Sequence, residues 1–142
     1  MSAPQTFDIS GKRFPPGFAK VRLRLAREPD NPQGSPEVGY DLVIPLDKAG
    51  RIDAALWKSH RDLCRVVHLR GDEEHDIGHL VRQSGGQWKF HYDIQGDEED
   101  ARGFHLTDEH FTVGEYISII EDDSPHTYRV ITVENLRPGA AP

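Results

Sequence analysis

Eight histidines are the most conspicuous residues in this chain with chemistry to offer: His60, His68, His75, His79, His91, His105, His110 and His126. Their spacing speaks against local metal chelation. His75 and His79 lie four apart in a segment with the alternation of a strand, where about 3.3 Å per residue separates them by roughly 13 Å. There is no HxH pair followed by an acid and no cysteine pair for structural zinc, so no metal or other cofactor is assigned. Histidines from different strands could still converge, and a small enzyme or metalloprotein using His79, His91, Tyr92 and His68 at a barrel mouth is the alternative functional reading. Nucleophilic chemistry has less support. Cys64 has no local motif, Ser118 sits inside an alternating run rather than a GxSxG elbow, and no phosphate-cradling glycine loop is present. No catalytic residue is assigned.

The acidic residues come in clusters: Asp72, Glu73, Glu74 and Asp76; Asp97 to Asp100; and Glu121, Asp122 and Asp123. Clustered carboxylates could bind Ca²⁺, Mg²⁺ or a basic partner, but the ligand alternation and central glycine of an EF-hand are missing. Solvated loops explain them adequately. The first 27 residues hold six basic side chains against Asp8 alone, so of a net charge of −7 the remaining chain carries −12. That balance makes nucleic acid an unfavoured partner for the body of the domain. The basic side chains Lys12, Arg13, Lys20, Arg22 and Arg24 would be the contacts if there were one. On a strand, Lys20, Arg22 and Arg24 form one basic stripe, which also suits edge protection.

The element that must position most of these groups is residues 75–94, HDIGHLVRQSGGQWKFHYDI. Two alternating runs flank Gly85-Gly86, a hairpin signal because both central residues of a type I′ turn need positive φ. A two-residue loop pairs His79 with Tyr92 and Val81 with Phe90. Ile77, His79, Val81, Trp88, Phe90, Tyr92 and Ile94 then share an apolar face. His79, Tyr92, Trp88 and His91 are accordingly the candidate ligand-binding residues. A polar pair among aromatics can line a cavity or can simply satisfy itself. Gly86-Gln87-Trp88 has the GxW spacing that opens the first strand of lipocalins; here it closes a central hairpin and no partner motif follows, so it assigns no family.

Around this hairpin, residues 18–27 and 38–46 alternate as strands, with Pro45 ending the second or placing it at an edge. Residues 52–63 are the one helix candidate, with Asp53 to cap it. So short a helix needs an apolar surface to lie on, the sheet or one end of a barrel. Residues 64–70 give a third strand and 104–106 a brief one. Residues 113–121 and 126–134 form a last hairpin through a four-residue loop. Ile117, Ile119, Tyr128 and Val130 share one of its faces. Tyr116, Ile120, Ile131 and Val133 share the other, which calls for a cover such as the helix or a second subunit.

The chain of 142 residues therefore reads as mainly β: an antiparallel, seven- or eight-stranded, closed or half-closed barrel with one short helix. A two-sheet β-sandwich or an α+β sheet is the alternative. Residues 1–17 read as a flexible arm, 18–136 as a single β-rich domain and 137–142 as a disordered tail. No apolar run approaches a membrane span, no secretory signal opens the chain, and one cysteine suits a reducing, cytoplasmic setting. The function expected is a binding or interaction module for a protein partner or a small ligand, with self-association possible through the closing hairpin.

Overall fold

The computed structural model describes residues 14–27, 32–71, 76–82, 88–92, 105–106, 110–121 and 124–136. Eight strands among them close into one antiparallel barrel in sequence order: β1 (Phe18–Leu25), β2 (Ser35–Pro45), β3 (Arg65–Arg70), β4 (Asp76–Arg82), β5 (Trp88–Tyr92), β6 (His105–Leu106), β7 (Tyr116–Glu121) and β8 (Ser124–Asn135). The mainly β barrel expected from the alternating runs is the observed architecture, and the sandwich and the open α+β sheet are not. Closure comes from the pairing of β8 with β1, which leaves β1 with a partner strand on each side.

Alternation explains the interior. Val21 and Leu23 of β1, Tyr40, Leu42 and Ile44 of β2, Ile117 and Ile119 of β7, and Tyr128 and Val130 of β8 are all essentially inaccessible to water. Tyr40 is the hub. Its ring lies 4.4 Å from His68 in a near-parallel stack, and 5.2 Å from both Phe90 and Tyr128. An eight-stranded barrel is just wide enough for side chains to fill, and these side chains are buried within it.

Helix α1 (Ala54–Ser59) and a 3-10 turn (Arg61–Leu63) sit between β2 and β3. The Asp53 carboxylate accepts from the N–H groups of Ala55 and Leu56, as expected of an N-cap. The helix ends at His60, whose N–H is shared between Leu56 and Trp57 carbonyls. Its anchor is Trp57, whose indole N–H donates to the Leu80 carbonyl at 2.8 Å and whose ring meets Trp88 edge-on at 5.2 Å. The helix thus packs on one end of the barrel. Phe14 is buried at the same end against Phe18, so residues 14–17 of the expected arm belong to the packed structure; residues 1–13 and 137–142 lie outside the described residues.

Two registers differ from expectation. In the β4–β5 pair, Gly78 faces Tyr92, His79 faces His91, Leu80 faces Phe90 and Arg82 faces Trp88. This is one residue away from the register of a two-residue Gly85-Gly86 loop, and a one-residue slip turns one strand's side chains to the other face. Trp88 and Phe90 remain inside as expected. On β4 the buried side chain is Leu80, and Ile77, His79 and Val81 are turned to the outer face. The Trp57 indole bonded to the Leu80 carbonyl and the fit of Leu80 against Phe90 hold this register; Gly85-Gly86 itself lies outside the described residues. In the last hairpin, β7 and β8 pair with two residues between them rather than four. Faces are unchanged by that even shift. A β-bulge opposite Arg22, however, leaves Ile131 unpaired with β1 and turns Val133 inward against Val21, off the face it was expected to share with Tyr116.

Candidate functional site

The β4–β5 register sets His79 directly opposite His91 and places Trp88 on the buried side of the sheet. His79 is on the outside of the barrel, where its Nε2 accepts from Arg65 at 2.6 Å. Trp88 and His68 are inside, and Trp88 is already engaged by Trp57. Tyr92 faces Gly78 and not His79, so the polar pair expected on the apolar face is not formed. The side chains of His91 and Tyr92 lie outside the described residues. Among the described residues, no three His, Cys, Asp or Glu side chains are grouped so as to hold a metal ion. The acidic clusters Asp72 to Glu74 and Asp97 to Asp100 also lie outside the described residues.

A different feature stands out on the outer wall, where first and last strands meet. A groove of about 930 Å³ runs over β1, β8 and the start of β7, walled by residues 33–36. Four arginines line it, Arg22, Arg24, Arg27 and Arg129, together with Tyr116 and Ile131, and no acidic residue among the described residues does. The sheet register places them. Arg24 lies directly opposite Arg129, and Arg129 lies directly opposite Tyr116 on the next strand. Directly opposed side chains on one sheet face are about 5 Å apart at Cβ, and like charges so placed are destabilising. The bulge completes the floor by turning both Ile131 and Thr132 outward, which a regular strand cannot do with consecutive residues.

Among the described residues, one of the four arginines has an ion-pair partner. Arg24 Nη1 donates to the buried carboxylate of Asp41 at 3.0 Å, and its Nε donates to the Pro36 carbonyl at 3.1 Å. Arg24 is therefore a fixed part of the wall. Arg22, Arg27 and Arg129 are exposed and form no ion pair among the described residues. The groove thus presents three available guanidinium groups on a chain of net charge −7. Guanidinium forks match carboxylate and phosphate oxygens in a bidentate way, which makes this an anion-binding surface.

No family model, curated protein or solved structure matches the chain. The site has to be read from its geometry alone.

Part of it was visible in the sequence. The stripe containing Arg22 and Arg24 and the apolar outward pair Tyr116 and Ile131 were both recognisable as patterns. Arg27, Arg129, Thr132 and Ser35 were not, because only the closure of β8 onto β1 brings them to the same place. Closure also removes the other use of the stripe: a strand paired on both sides has no edge to protect.

Proposed function

We propose that this protein is a non-catalytic binding module that recognises an anionic partner or ligand in the arginine-lined groove. The observation that carries the reading is the row Arg24–Arg129–Tyr116 across three strands. It juxtaposes like charges, leaves one without a counter-ion among the described residues and exposes an aromatic ring beside them. Such an arrangement costs stability in the free protein and gains it only when an anion arrives. The packed interior supports an external site over a ligand in the barrel lumen. The single buried cysteine, Cys64, supports a reducing, cytoplasmic setting. Among the described residues, no helix is long and apolar enough to cross a membrane.

Thermal unfolding in a series of anions at constant ionic strength tests the reading. A ligand at ten times its Kd stabilises by about 1.4 kcal/mol, which for a chain of this size raises Tm by roughly 5 °C. Pyrophosphate, citrate and hexaglutamate are expected to raise Tm above the chloride baseline for the wild type and not for an Arg22→Ala/Arg129→Ala double variant. Equal responses in the two proteins would remove the groove as the site.

A further inference from the structure

We infer that the occupant of the groove is an acidic peptide segment of a protein partner that carries an apolar side chain among its acids; this rests on the anion-binding reading above. The barrel topology excludes one mode of peptide capture. β1 is paired with both β2 and β8, and Arg129 of β8 with both Arg24 and Tyr116, so the backbone under the arginines has no free edge for strand addition. A segment bound there is held by side chains. The groove offers two kinds. Arg22, Arg27 and Arg129 supply charge, whereas Tyr116, 60% exposed, and Ile131, 41% exposed, supply apolar surface beside it. An inorganic anion would use the first and leave the second in water. An acidic segment with a leucine-like residue uses both, and Arg with Tyr is the pairing that dominates binding energy at protein interfaces. Five residues separate Arg22 from Arg27, about 17 Å at strand spacing, which is the span of five or six extended residues.

A nucleic acid fits less well. Single strands are bound on successive aromatic platforms with a tracking positive groove. Among the described residues Tyr116 is the one aromatic side chain lining this groove, and the chain as a whole carries a net charge of −7, which disfavours a longer polyanion. A short acidic segment places its charge only where the arginines are.

Fluorescence anisotropy with the full chain tests this, using three labelled probes: the hexapeptide Glu-Asp-Leu-Glu-Asp-Glu, the same peptide with Gly for Leu, and a twelve-nucleotide oligothymidylate. The leucine peptide is expected to bind about tenfold tighter than the glycine peptide, since one buried aliphatic side chain is of that order. Arg129→Thr is expected to weaken both peptides, and Ile131→Ser to abolish the difference between them. Equal affinity of the two peptides, or oligothymidylate binding as tightly as the leucine peptide, overturns the inference and leaves the anion site standing. Failure of all three probes to bind removes both. Light scattering on the same samples covers the remaining occupant: a salt-sensitive dimer that is lost in Arg129→Thr would assign the groove to a second copy of the chain and overturn the inference.

Discussion

Replacing Arg129 with threonine separates what this arginine does for the fold from what it does for binding. Arg129 lies opposite Arg24 on the adjoining strand, is exposed and has no counter-ion among the described residues. For two guanidinium heads taken to be about 7 Å apart, Coulomb's law gives about 0.6 kcal/mol of repulsion in water. A Debye length of about 8 Å at physiological salt reduces this to about 0.25 kcal/mol. Arg22, two residues along β1, adds a little, and Asp41 beside Arg24 subtracts. Threonine is well suited to a strand, so little is lost on the folding side. Urea unfolding of Arg129→Thr is therefore expected at an unchanged or slightly higher midpoint, by about 0.1–0.2 M for an m-value of about 2 kcal/mol/M. The gain is expected to grow at low salt. Affinity for anionic probes is expected to fall about tenfold, the low end for one charge-assisted hydrogen bond. Destabilisation by more than about 1 kcal/mol would refute the reasoning, because Arg129 would then be holding the β1–β8 seam together.

Three further outcomes follow from the fold. The β4–β5 register makes Leu80 a core residue and Val81 an outer one, so Leu80→Ala is expected to cost about 2–5 kcal/mol in urea unfolding and Val81→Ala much less; the reverse order would restore the two-residue-loop register. A Cβ on Gly39 would stand 1.9 Å from the Leu23 carbonyl oxygen, so Gly39→Ala is expected to lower stability by at least about 1–3 kcal/mol, read from the urea midpoint. Burial first, then the nearby Asp62 charge, pushes the Cys64 thiol up from 9.0 to about 12. Native protein is therefore expected to resist iodoacetamide at pH 8 and to label only on unfolding. Because the unfolded thiol ionises first, the stability tied to this group is whole below about pH 9 and is lost as pH rises towards about 12.

The elements were legible because local rules act on them. Period-two alternation marked the main strands, Pro45 marked the end of β2, and Asp53 marked the start of the helix. What the sequence did not disclose depends on contacts distant along the chain. The β4–β5 register was missed because Gly85-Gly86 suggests one loop length, whereas Leu80, the single apolar residue left on the supposed wet face, was the sign of the other. Val133 was misplaced because a bulge at Ile131 has no local signature in the run HTYRVITVE. The groove escaped notice because Arg22 and Arg129 become neighbours only when the last strand closes on the first. Histidines drew attention by number, yet the barrel wall separates His68 from His79: the first stacks inside on Tyr40 and the second lies outside on Arg65.

The most direct test of the groove as the binding site is a ¹H–¹⁵N NMR titration of the full chain with the leucine-containing acidic peptide. The expected shifts centre on Arg22, Arg27, Tyr116, Arg129 and Ile131, with Tyr40, Leu80 and Phe90 unmoved. Shifts centred instead on the interior around Tyr40 and His68, or on the helix end around Trp57, would contradict it.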